Sequence, residues 1–150
     1  MDKQTAVYLP EALFIDIPMI DDQHAGLFRQ LAELKALCVE KNELPGKEAE
    51  RLYSLLREHC ATEEHLAHEA ELNFRDHATK HQQMLDSVAK ALTEVSEERM
   101  DVFSMIRYLE YWFERHICEE DKNLGLNLQQ SSFRKFGEQF SRPVTASINL

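Results

Sequence analysis

His59-Cys60-Ala61-Thr62-Glu63 and Asp76-His77-Ala78-Thr79-Lys80-His81 decide how this chain is read. Each run sets two potential metal ligands four residues apart, which on an α-helix means the same face, one turn on. Such a pair grips one metal ion without any loop rearrangement. His24 lies upstream and His116-Ile117-Cys118-Glu119-Glu120-Asp121 downstream, so seven nitrogen and oxygen donors gather in a chain of 150 residues.

The segments around these residues carry helical periodicity. His24, Leu27, Phe28, Leu31, Leu34 and Cys38 recur at three- and four-residue steps, and Leu44-Pro45-Gly46 stops that helix. A second stripe runs through Leu52, Leu55, Leu56, His59, Glu63, Leu66 and Ala70, and a third through His77, His81, Met84, Leu85, Val88, Leu92 and Val95. The fourth holds Val102, Met105, Ile106, Leu109, Trp112, Phe113, His116 and Ile117, with Gly125 placed to cap its end. Asp21 or Asp22 is expected to cap the first helix and Asp76 the third. Four amphipathic stretches with short connections predict an all-α fold, an antiparallel up-down-up-down four-helix bundle. An arm over residues 1–20, broken by Pro10 and Pro18, precedes the bundle at 21–125. Residues 126–150 read as a short helix through Phe133, Phe136 and Phe140, followed by a tail or linker.

Five of the seven histidines, His24, His59, His77, His81 and His116, fall on the inward stripes with Glu63. A lone histidine on an apolar face is more often a hydrogen-bonded core residue than a ligand. The set is different: each buried polar group without a partner costs about 1–3 kcal/mol, and five or six together approach the about 5–15 kcal/mol that holds a domain folded. Their neighbours are hydrocarbons, and metal ions satisfy all of them. His65 and His68 lie about 120° and 180° around the helix from His59 and are assigned to solvent. Asp121 stands about 140° from His116 on an ideal helix, so spacing leaves it either a surface carboxylate or an inward one carried by a loosened turn.

Five imidazoles with one or two carboxylates exceed what one ion takes. Structural zinc favours four ligands, often cysteine, and none of Cys38, Cys60 and Cys118 stands at pair spacing. Calcium and magnesium favour oxygen ligands. A nitrogen-rich set suits iron, with copper or manganese behind it. The ferritin-like carboxylate bundles use Glu-x-x-His, but no histidine here has a glutamate three residues before it, and there is no His-Glu-x-x-His either. With so few carboxylates the ferrous state is favoured, and one iron is left with an open position. That suits small-molecule binding more than attack on a substrate.

The ordered set Ile20-Asp21-Asp22-Gln23-His24, His59-x-x-x-Glu63, His77-x-x-x-His81 and His116-x-x-x-x-Asp121 closely resembles the hemerythrin family, in its bacterial single-domain branch, over about residues 14–122. The resemblance implies two iron ions, one held by His77, His81 and His116 and the other by His24 and His59. Glu63 and Asp121 would bridge them together with an oxo or hydroxo group, which also assigns Asp121 an inward role. O2 would bind at the His24/His59 iron, with Phe28, Trp112, Phe113 and Ile117 as the wall of an apolar pocket. The chain departs from bacterial members in its arm, Phe14-Ile15-Asp16-Ile17-Pro18, where Trp and Gly are usual. It also departs at Ala67, where Met is common, and at Glu71-Leu72, where Tyr-Pro is. No ligand is lost.

The resemblance implies a binding or sensor domain, not an enzyme, reporting O2 or redox state to a covalently linked or separate output domain such as a diguanylate cyclase or chemoreceptor. O2 carriage or storage is the alternative; reduction of O2, peroxide or nitrogen oxides at the di-iron centre is a second. With 17 Lys+Arg against 27 Asp+Glu, the net charge of −10 disfavours nucleic acid and anionic membrane surfaces as partners. Three cysteines without Cys-x-x-Cys spacing, no signal peptide at Met1-Asp2-Lys3-Gln4-Thr5 and no long apolar run point to a cytoplasmic protein.

Overall fold

The fold is that of a computed structural model, which describes residues 8–41 and 45–132. Four long helices form the framework: α1 (Pro18–Lys41), α2 (Gly46–Glu69), α3 (Arg75–Ser96) and α4 (Val102–His116). α1 packs on α2 and α4, and α3 on α2 and α4, which closes a four-helix ring. The apolar stripes meet inside this ring, where Leu27, Leu31, Leu34, Cys38, Leu52, Leu56, Met84, Val88, Met105, Ile106, Leu109 and Phe113 are all buried in one cluster.

The helix ends differ from expectation. α1 starts at Pro18, whose fixed φ suits the first helical position, and Asp21 N–H donates back to Ile17 O. Asp21 therefore lies inside the first turn and reaches back: its buried carboxylate accepts from Ile15 N–H at 2.9 Å and Asp16 N–H at 3.2 Å. α3 is entered through Phe74, and Asn73 Oδ1 accepts from Arg75 N–H at 3.1 Å, so Asp76 is a first-turn acid and not a cap. Asp101 caps α4 by accepting from Ser104 N–H.

Gly125 is not a helix terminus. α4 passes through one widened, π-helical turn at Ile117–Asp121, and residues 122–132 continue as helix. Gly125 is needed for a different reason, since a Cβ there would stand 2.8 Å from Ile15 O in the arm. The arm includes a short 3-10 turn at Glu11–Leu13, and it buries Leu9, Leu13 and Ile15 with Ile20, Ala67, Ile117, Leu124 and Leu128 in a second apolar cluster. Phe133, Phe136 and Phe140, the residues of the expected short helix, lie outside the described residues. Among the described residues no helix is long and apolar enough to cross a membrane.

Candidate metal centre

Between the two apolar clusters lies a polar layer drawn from all four helices. His24 comes from the second turn of α1, His59 and Glu63 from α2, His77 and His81 from the start of α3, His116 from the end of α4 and Asp121 from the π-turn. Alternating helix direction brings these positions to one level. All seven are buried except His77, which is partly covered. The widened turn supplies what an ideal helix could not, because one extra residue per turn carries the fifth position after His116 onto the face of His116.

The two carboxylates divide their oxygens. Glu63 Oε1 lies 2.8 Å from His59 Nε2 and 3.7 Å from His24 Nε2, while Oε2 lies 3.1 Å from His77 Nε2 and 3.0 Å from His81 Nε2. Asp121 Oδ2 lies 2.9 Å from His24 Nε2, and Oδ1 lies 3.0 Å from His77 Nε2 and 3.1 Å from His116 Nε2. Two donor groups result, His77, His81 and His116 with both carboxylates, and His24 and His59 with the same two.

These short separations are not hydrogen bonds. The Nε2 atoms of His77, His81 and His116 and all four carboxylate oxygens are buried with no hydrogen-bond partner of acceptable geometry. Lone pairs that converge without bonding one another are what metal ions satisfy, so the donors fit two ions bridged by two carboxylates. One group offers five donors and the other four, leaving the smaller group short of a ligand.

As side chains alone, the cluster polarises itself. Burial pulls the His59 imidazole down, but the Glu63 and Asp121 carboxylates outweigh it and hold His59 at about 10. The same opposition leaves His77 at about 9 and His24 raised. His81 is lowered, mainly by burial, with the charges of His77 and His116 adding to it against Glu63. Burial pushes the Glu63 and Asp121 carboxyls up, yet the surrounding imidazoles hold both well below the usual range. The neighbouring Cys60 thiol is pushed up to about 12 by burial and then by Glu63 and Asp121.

His65 and His68 face outward, and His65 pairs with Glu69 at 3.2 Å on the surface. Of the four expected pocket residues, Phe28, Phe113 and Ile117 line a cavity of about 10 Å³ beside His24, His59, His116 and Asp121, just room for one water-sized molecule. Trp112 is not in that wall; it stacks on His116 with centroids 6.2 Å apart. Leu27, Leu56 and Met84 belong to the wall and were not anticipated. A signal for them exists: in an antiparallel bundle the layer next to the ligands is one turn after His24 and His81 and one turn before His59 and His116. That rule gives Leu27, Met84, Leu56 and Phe113.

Residues 16–125 match the family model described as Hemerythrin HHE cation binding domain. No curated protein and no solved structure matches the chain significantly. The match spans most of the chain and every residue of the polar layer, so the protein belongs to the hemerythrin HHE cation-binding domain family, with a His/Glu/Asp cluster that can hold metal.

Proposed function

We propose that the centre holds two iron ions and binds O2, with His77, His81 and His116 on one ion, His24 and His59 on the other, and Glu63 and Asp121 across both. The observation that carries this reading is the division into five-donor and four-donor groups, with a cavity that opens onto His24 and His59 of the smaller group as well as His116 and Asp121. When bound, a ferrous pair supplies the two electrons that reversible O2 binding draws on. The protein's own part is to keep the cavity small and mostly apolar: Leu27, Phe28, Leu56, Met84, Phe113 and Ile117 exclude bulk water, which opposes loss of a charged oxygen species and so slows irreversible oxidation.

For its physiological role we favour O2 or redox sensing that acts on an output domain over carriage or storage, with no catalytic turnover. The support is mechanical. Asp121 sits in the π-turn of a helix that runs on to residue 132 while packing on the arm, so a shift at Asp121 bears directly on that helix. The test is one visible absorption series: reduce the iron-loaded protein without oxygen, admit O2, then remove it under argon. Ferric charge-transfer bands that appear and vanish support reversible binding. Bands that persist until reductant is added would move the reading to a redox sensor or an oxidase. Absence of bands with bound metal would reject iron.

A further inference from the structure

A chain of side chains outside the metal-facing atoms settles the protonation of His59. Thr62 Oγ1 lies 3.0 Å from the carbonyl of Glu58, one turn back on α2, and donates its single proton there. The hydroxyl is thereby left as acceptor for Gln23 Nε2, which stands 3.0 Å away on α1. With its NH2 committed, Gln23 turns Oε1 toward His59 Nδ1 at 2.9 Å, and only a protonated Nδ1 bonds to it. When the ring is neutral, as ligation requires, the lone pair of His59 is therefore on Nε2, the atom that faces Glu63 at 2.8 Å. On the five-donor side the corresponding outer nitrogen, His116 Nδ1, faces a carboxylate, Glu120 Oε2 at 3.2 Å. His24 Nδ1 has no hydrogen-bond partner among the described residues.

We infer that Gln23, oriented by Thr62, is a positioning residue that fixes the His59 tautomer and, as a neutral acceptor, makes the His24/His59 position the more weakly held of the two. This rests on the two-metal reading above. A carboxylate behind an imidazole raises its basicity and binds its metal more tightly, whereas an amide holds the ring without adding charge. The two halves thus differ in what stands behind their imidazoles as well as in donor number. An ion at the His24/His59 position would thus have a neutral amide behind its His59 ligand where the other has a carboxylate behind His116, which favours its lower oxidation state.

The test uses the ferrous 150-residue chain under anaerobic conditions, with chelators of graded affinity. Wild type is expected to release two ions in two steps. Gln23→Leu should make the first release about 10–100-fold easier and leave the second unchanged. Gln23→Glu should make the first release harder. Thr62→Val, which touches no metal-facing atom, should shift the first step in the direction of Gln23→Leu, and Thr62→Ser should restore it. A merely structural role would move both steps together with Tm. The solvent-exchangeable His59 Nδ1–H proton resonance, slow to exchange in wild type, should exchange rapidly in Gln23→Leu and Thr62→Val. Wild-type behaviour in Gln23→Leu and Thr62→Val alike, or equal shifts of both steps, overturns the relay. A wild type that holds fewer than two ions overturns the two-metal reading, before any variant is made.

Discussion

Glu63 and Asp121 each give one oxygen to either side of the polar layer, so removing a single imidazole does more than delete one donor. His77→Ala or His116→Ala would leave Asp121 Oδ1, now shared between those two rings at 3.0 and 3.1 Å, facing an apolar gap. Taking a partner away from a buried carboxylate leaves its charge less compensated, at a cost of about 3–5 kcal/mol, a large share of a domain's stability. Either variant is therefore expected to lose the iron of the five-donor group and to fall steeply in Tm, measured by iron content and thermal denaturation. His65→Ala and His68→Ala change exposed rings and should keep wild-type iron and Tm. Loss of metal in either would show that the register of α2 is wrong. At this scale most of the site was legible in the sequence, because buried imidazoles at i, i+4 on apolar stripes have little except a metal ion to satisfy them. Asp121 was the exception: its five-residue spacing looks off-face on any ideal helix, and only the family resemblance turned it inward. Trp112 stacks on His116 instead of lining the cavity, a distinction periodicity does not make.

α2 and α3 end alike, and neither end carries the usual sequence mark. After α2, Leu72 N–H bonds to Ala67 O at 2.9 Å and Glu71 N–H to His68 O at 3.0 Å; after α3, Arg99 N–H bonds to Glu94 O at 2.7 Å and Glu98 N–H to Val95 O at 3.0 Å. Both are Schellman closures, which favour glycine at the left-handed position, yet Glu71 has φ 57° and Glu98 φ 60°. A glutamate signals no helix end, so these stops could be read only from the break in the apolar stripe. Relief of left-handed strain is worth about 1–2 kcal/mol, less the about 0.5–1 kcal/mol that glycine adds to unfolded-chain freedom. Glu71→Gly and Glu98→Gly are thus each expected to stabilise by about 0.5–1 kcal/mol, read as a small rise in Tm at unchanged iron content. The π-turn makes a sharper prediction. Deleting Glu119 sets His116 and the aspartate four apart, on one face of a regular helix, so both should still reach the metal layer. Leu124 and Leu128 follow that aspartate on the same helix, so they keep their place against the arm. Full iron content with a Tm close to wild type is the expected result. Loss of iron would mean that the widened turn itself, and not only its phase, sets the aspartate in the metal layer.

Among the described residues two apolar clusters flank a charged layer, and that arrangement ties metal binding to pH. With His59 at about 10 and His77 at about 9, the metal-free fold carries both rings protonated at pH 7, held against burial by Glu63 and Asp121. Both values are raised above the unfolded 6.5, so their contribution to metal-free stability is fully present below pH 6.5 and is lost as pH rises through about 9 and 10. Glu63 and Asp121 are lowered, so their contribution is present above the unfolded 4.5 and 3.8 and is lost as pH falls through their depressed values. Metal reverses the first dependence, because an imidazole must be neutral to ligate. Loading at pH 7 is therefore expected to release about two protons, one each from His59 and His77, and the affinity should rise with pH until those rings no longer need to be deprotonated. Calorimetry of metal binding in buffers of different ionisation enthalpy counts the protons, and Tm of the loaded and metal-free forms across pH 6.5–10 follows the linkage. The gap between the two Tm values should widen as pH rises, the metal-free form weakening while the loaded form does not. No proton release and a constant gap would mean that His59 and His77 are already neutral in the metal-free fold, and that its carboxylates are balanced by something other than these rings.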